Sequence, residues 1–167
     1  MTVQIGDSIP SASLGVMTPD GPSTLTTDEI FAGKRVVLFA VPGAFTPTCS
    51  DRHLPGFLEN AAAIRRRGVD TLACLAVNDV FVMSAWGEAT GAAGTLQMLA
   101  DGNGDLARAL GLEADFTQFG MGHRSRRYAA IVDDGVVRWL GVETAPGVRE
   151  SSADAALAAL DALGPRG

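Results

Sequence analysis

The chain has 167 residues, 47% of them hydrophobic and 19% charged, with 13 Lys and Arg against 19 Asp and Glu and only two cysteines, Cys49 and Cys74. A chain of that length and apolar content can bury roughly 70% of its unfolded surface in one domain, which excludes a disordered chain and a disulfide scaffold. A net charge of −6 excludes a duplex nucleic-acid binder, which needs a basic face to displace counterions.

Residues 1–167 are expected to form a single domain, because no repeat, low-complexity stretch or Pro/Gly/Ser-rich linker divides them. Met1–Asp7 has no cationic segment followed by an apolar one, so export is not expected and a cytoplasmic setting is. Lys34 stands alone beside twelve arginines, a bias that points to a GC-rich bacterial genome. Turn residues Thr18-Pro19-Asp20-Gly21-Pro22 predict an N-terminal hairpin within residues 11–26. Arg35–Val41 is a continuous β-branched and apolar run, the pattern of a strand buried on both faces. Pro42-Gly43 ends it and breaks the longest apolar run, Val36–Phe45, well short of the roughly 20 residues of a membrane helix.

From Pro47 to Arg67, the residues Leu54, Phe57, Leu58, Ala61, Ala62 and Ile64 recur at helical spacing, predicting one helix bent at Pro55-Gly56 and stopped by Gly68. Thr71–Val77 predicts a second buried strand, Val80–Ala89 a second helix, Gln97–Ala100 a short strand, and Asp105–Leu110 a helix closed by Gly111. Tyr128–Val132 and Val136–Val142 flank Asp133-Asp134-Gly135 as a hairpin, and Ser152–Leu163 reads as an Ala/Leu helix. This order, β-α-β-α-β-α-β-β-α, predicts an α/β thioredoxin-like fold: a mixed central sheet flanked by helices, with an N-terminal hairpin.

The segment Val41-Pro-Gly-Ala-Phe-Thr-Pro-Thr-Cys-Ser50 packs a strand end, a turn and a helix start into ten residues. Thr46 suits an N-cap and Pro47 the first helical position, which puts Cys49 in the first turn. Free backbone N–H groups and the positive end of the helix dipole there favour thiolate over thiol. Position 52 is Arg, so disulfide exchange by a Cys-x-x-Cys pair is excluded. A cysteine hydrolase needs a His base, and neither His53 nor His123 has an evident carboxylate to orient it. A thiolate with a hydroxyl and a guanidinium at hand, but no base, suits attack on an oxygen whose leaving group becomes an anion, as in peroxide reduction.

Pro42-x-x-x-Thr46-x-x-Cys49 is similar to the active-site motif of the peroxiredoxins. The longer string Val41-Pro-Gly-Ala-Phe-Thr-Pro-Thr-Cys-Ser-x-x-His-Leu-Pro-Gly-Phe57 resembles the peroxiredoxin-5 type. The likeness continues through Ala73–Asp79, Phe81-Val82, Trp86, Arg127-Tyr128 and Val142-Glu143. It implies that Cys49 is the peroxidatic cysteine, Thr46 the hydroxyl that orients the peroxide, Pro42 the lid over the thiolate and Arg127 the guanidinium. Arg127 also opens a predicted apolar strand, where a charge is costly unless paired, whereas Arg124 and Arg126 suit an exposed strand end. Thr48, Phe45 and Phe119 are the candidate contacts for the peroxide's organic part, although the two phenylalanines equally fit core or dimer contacts.

Cys74 lies in the apolar run Thr71–Val77, where a free cysteine reads as core filler rather than as a resolving thiol. Many peroxiredoxin-5 relatives carry a resolving cysteine after the Val-Glu of the last strand, but 142–152 here contains none. That departure implies a one-Cys cycle with an external thiol: glutathione with glutaredoxin first, thioredoxin second. The resemblance also implies a homodimer, no cofactor, and hydrogen peroxide or an organic hydroperoxide as substrate. A thiol redox sensor or holdase built on Cys49 is the alternative. Gly102-Asn-Gly104 fits a turn and helix start better than a dinucleotide site, and Arg65–Arg67 a solvated helix C-terminus. Spacings of two along a helix spread Cys49, Asp51 and His53 over different faces, so no metal is expected.

Overall fold

A computed structural model describes residues 1–166. The hairpin is β1 (Ser13–Thr18) paired antiparallel with β2 (Gly21–Thr26), and a short helix, α1 (Thr27–Phe31), follows. That helix had its own signal in the sequence: Thr26 and Glu29 form a capping box, each side chain bonded to the other's backbone N–H. The strand β3 (Arg35–Val41) is buried along its whole length, as its unbroken apolar pattern requires.

The segment after β3 departs from one bent helix. Helical backbone starts at Pro47, Cys49–His53 forms a π turn, and α2 (Leu54–Glu59) and α3 (Ala61–Arg65) are separated at Asn60. The Leu54 N–H donates to the Cys49 carbonyl five residues back, so the hydrogen-bond register slips by one. Pro55 therefore falls in the first turn of α2, where its missing N–H leaves no gap, and the chain breaks at Asn60 instead of at Pro55-Gly56.

The remaining elements are β4 (Thr71–Ala76), α4 (Val80–Ala89), β5 (Gln97–Ala100), α5 (Asp105–Leu110), β6 (Glu113–Asp115), a 3-10 turn (Thr117–Phe119), β7 (His123–Ser125), β8 (Tyr128–Asp133), β9 (Val136–Val142) and α6 (Ala153–Leu163). Seven strands form one mixed sheet in the order β2-β1-β5-β4-β3-β8-β9, and β6 pairs with β7 apart from it. The parallel pairs are β3/β4 and β4/β5, and β8 runs antiparallel to β3. Asp134 and Gly135, at φ 47° and 78°, make the two-residue turn between β8 and β9 that a type I′ hairpin demands.

Alternation along the strands divides the core. Val37, Phe39, Val41, Leu72 and Cys74 face α2, α3, α4 and α6, whereas Val36, Leu38, Ala73 and Leu75 face α1 and α5. Among the described residues, no helix is long and apolar enough to cross a membrane.

Candidate active site

The sheet itself brings the site together. The register pairs Ala40 of β3 with Tyr128 of β8, so Arg127 emerges where β3 gives way to Pro42 and the loop that carries Cys49. Cys49 is fully buried, and Arg127 Nη2 donates to its Sγ at 3.1 Å. The other arm of the same guanidinium, Nη1, donates to His53 Nδ1 at 2.9 Å.

His53 is 1% exposed, and its tautomer follows from its partners. A guanidinium only donates, so Nδ1 is the acceptor; Nε2 then carries the proton and donates to the Ser151 carbonyl at 2.8 Å. Burial, reinforced by the Arg127 charge, lowers the imidazole to about 3 against the weaker opposing pull of the Ser151 carbonyl and Glu143, which keeps the ring neutral. Ser151 is pinned in turn, because Glu143 Oε2 accepts from its N–H at 2.7 Å, from its Oγ at 2.6 Å and from the Arg149 N–H at 2.8 Å. Burial pushes the Glu143 carboxyl up, but these bonds outweigh it and leave it below the usual carboxylate range. A continuous chain of contacts thus runs from Glu143 through Ser151, His53 and Arg127 to the sulfur.

Thr46 does not cap the helix through its hydroxyl. Its Oγ1 donates to the Gly43 carbonyl at 2.7 Å, which uses its one proton and leaves its lone pairs to accept. Ser50 Oγ accepts from the buried Trp86 Nε1 at 3.0 Å and ties the π turn to α4. Pro42, Thr46, Thr48, Phe119 and Arg127 line one cavity of about 690 Å³ together with Phe116 and Met121. Phe45 is not among the lining residues: its φ of 65° turns the backbone left-handed, and its side chain is 55% exposed. Cys74 sits in β4 between Phe39 and Met98, fully buried on the same sheet face as Cys49. Burial, and secondarily the neighbouring Cys49, push its thiol well above the ordinary range.

Sequence reasoning weighed His53 only as a hydrolase base or a metal ligand and passed over Ser151. The signal for both was the sequence partner of each: His53 follows the motif cysteine by one helical turn, and Ser151 lies near the Val142-Glu143 pair. Among the described residues, no group of three or more His, Cys, Asp or Glu side chains is placed to hold a metal ion.

The chain is similar to known proteins along almost its whole length. The Redoxin family model matches residues 4–157. Peroxiredoxin-2E-2, chloroplastic, of Oryza sativa subsp. japonica is 50% identical over 164 residues, covering 95% of this chain and 73% of the rice protein. Peroxiredoxin-2B of Arabidopsis thaliana is 43% identical over 159 residues, 95% of this chain and 98% of that one. Among solved structures, reduced Prx3 of Vibrio vulnificus in complex with hydrogen peroxide superposes with a TM-score of 0.92 at 50% identity, covering 95% and 99% of the two chains.

Proposed function

This chain belongs to the peroxiredoxins of the redoxin family and is a thiol peroxidase, and from that premise we propose that Cys49 is its peroxidatic cysteine, served by Thr46, Arg127 and Pro42. The observation that carries this reading is the Arg127 Nη2 donor 3.1 Å from Cys49 Sγ inside the Pro42-x-x-x-Thr46-x-x-Cys49 loop. A guanidinium donor stabilises the thiolate charge and then the charge that moves to the departing oxygen.

The thiolate attacks the distal oxygen of the hydroperoxide. The S–O bond forms as the O–O bond breaks, sulfur loses two electrons, and the alkoxide or hydroxide leaves and takes a proton to become an alcohol or water. Cys49 is left as sulfenic acid. Thr46 Oγ1 has spent its proton on Gly43, so it accepts the peroxide's O–H and turns that oxygen toward the sulfur. Pro42 covers the thiolate, and Thr48 and Phe119 line the neighbouring cavity together with Thr46 and Arg127. His53 acts as a positioning residue, because its Nδ1 holds the second arm of Arg127.

The cycle is one-Cys. Cys74 is completely buried in a central strand with its thiol protonated, which argues against attack on the sulfenic acid. An external thiol instead condenses with Cys49–SOH, releasing water and forming a mixed disulfide, and a second thiol frees Cys49. We favour glutathione with glutaredoxin as that thiol and place thioredoxin second. Cys49 has no exposed surface, so the π turn must open for the reductant to reach it. The reading also includes one domain over the whole chain, a homodimer covering exposed apolar residues such as Phe45 and Phe81, and a cytoplasmic, bacterial setting.

Turnover of hydrogen peroxide with the glutathione/glutaredoxin and the thioredoxin systems, measured in parallel, tests the reductant. Faster turnover with glutathione/glutaredoxin is expected, together with a glutathione adduct on Cys49 by mass spectrometry. An intramolecular Cys49–Cys74 disulfide in high yield would overturn the one-Cys cycle.

A further inference from the structure

Strands β3 and β4 run parallel and in register as far as Val41 and Ala76, so the chain leaves the sheet side by side as Pro42-Gly43-Ala44 and as Val77-Asn78. Asn78 stands between the end of β4 and Asp79, whose side chain caps α4 by accepting from the Val82 N–H at 2.8 Å. Its backbone is thus held by a structured element on either side. Its side chain spans the gap to the Cys49 loop, where Oδ1 accepts from the Ala44 N–H at 2.9 Å. A backbone N–H only donates, so the amide faces the loop with its oxygen.

The Ala44 N–H and the Gly43 carbonyl belong to one peptide unit. No peptide bond among the described residues is cis, and in a planar trans unit the N–H and C=O point in opposite directions. Asn78 takes one side of this unit. The other side accepts from Thr46 Oγ1 at 2.7 Å and from the Thr46 N–H at 3.4 Å, which closes a turn. That turn is costly on its own, because it holds Phe45 at φ 65°, a left-handed conformation that an aromatic residue keeps only where its surroundings over-determine it. Among the described residues, Asn78 is the one side chain from outside the turn that hydrogen-bonds to the Gly43-Ala44 peptide.

We infer that Asn78 is a positioning residue for peroxide reduction: it sets the direction of the Gly43-Ala44 peptide, whose carbonyl takes the Thr46 hydroxyl proton and leaves Thr46 Oγ1 as the acceptor for the peroxide O–H. This rests on the reading of Thr46 given above. Without the Asn78 oxygen the peptide unit is free to rotate and its carbonyl no longer holds the Thr46 proton. The hydroxyl proton can then point at the substrate, where it meets the peroxide's own.

The test measures kcat/KM for hydrogen peroxide with reductant in excess and, separately, the pH midpoint for alkylation of Cys49 by iodoacetamide, a reaction that involves no peroxide O–H. Asn78→Leu keeps the size of the side chain and removes the acceptor. It is expected to lower kcat/KM roughly tenfold, the scale of one hydrogen bond, while the alkylation midpoint stays at the wild-type value. Asn78→Asp, which keeps an oxygen facing Ala44, is expected to recover most of the rate. Thr46→Val is expected to be slow by itself, and adding Asn78→Leu to it to cost less than about twofold, because the two residues act in one chain of contacts. An unchanged rate in Asn78→Leu, the same tenfold loss in the Thr46→Val background, a shifted alkylation midpoint that accounts for the lost rate, or an Asn78→Asp protein as slow as Asn78→Leu each overturns the inference. A Thr46→Val protein as fast as wild type would strike the reading of Thr46 instead, and a wild-type protein that reduces no hydrogen peroxide the peroxidase reading, either one taking this inference with it.

Discussion

A guanidinium carries five N–H donors and no acceptor, so the direction of Arg127 is decided by what accepts from it. Cys49 Sγ takes one arm and His53 Nδ1 the other, and the imidazole can accept only while neutral. Burial first, and the Arg127 charge second, keep it so down to about pH 3. The unfolded chain has no such restraint. Between the ordinary value of 6.5 and about 3 the unfolded His53 takes up a proton that the folded protein refuses, so stability falls as pH falls through that window and is independent of this group above it. Urea denaturation at pH 7.5 and pH 5 is expected to show wild type losing about 2 kcal/mol more than His53→Gln, which has no titrating ring. An equal loss in the two proteins would mean that His53 is charged in the fold. The same variant is expected to lower kcat/KM for peroxide, because Gln reaches neither partner with the same geometry.

At the scale of elements, the π turn and the 143–151 segment are the two pieces that fit the site to the sheet. Gly141 of β9 shows how closely they fit: a Cβ there would collide with the Glu150 carbonyl oxygen, next to the Ser151 that holds His53. Gly141→Ala is therefore expected to cost about 1–3 kcal/mol by overpacking and to slow peroxide turnover as the segment moves. Wild-type stability and rate in that variant would uncouple the segment from the site. The seven strands of the main sheet and α4, α5 and α6 were legible because they are written in short-range pattern, Arg35–Val41 as an unbroken apolar run and Asp134-Gly135 as a turn with both φ values positive, whereas the short β6/β7 pair carried no such pattern. The Cys49 loop was legible through its motif. The π turn was not, since hydrophobic spacing at residues 54–64 is nearly the same whether or not one hydrogen bond slips its register. What His53 touches was not legible for a related reason. Its value lies in a contact with Arg127, 74 residues away in sequence, and no local pattern encodes that pairing.

Over the whole molecule, charge is distributed so that an anionic protein keeps a cationic pocket. The excess of carboxylates lies elsewhere, and the ionic contact set most deeply in the core, Arg35 with Asp133 at 2.7 Å, stands at the far end of β3 from Cys49. Arg35 joins β3 to β8 through both carboxylate oxygens and reaches the Gly164 carbonyl beyond α6, so it ties the C-terminal helix to the sheet. Arg35→Met would leave the buried Asp133 carboxylate only the half-exposed Arg138 at 3.9 Å and is expected to cost about 3 kcal/mol in chemical denaturation, whereas Arg35→Met with Asp133→Leu should recover most of the loss. A double variant no more stable than the single one would show that the pair contributes more than mutual compensation. Because this pair lies remote from the pocket, any loss of activity in these variants should track the folded fraction.

The central claim is that the buried Cys49 sulfur is what meets the peroxide, and intact-protein mass spectrometry after one equivalent of hydrogen peroxide, with peptide mapping, tests it most directly. The expected result is one added oxygen atom on Cys49 in the wild-type and Cys74→Ser proteins, with none in Cys49→Ser and no peroxide consumed by it. Peroxide consumption at the wild-type rate by Cys49→Ser, or oxygen found on Cys74 while Cys49 stays reduced, would contradict the account.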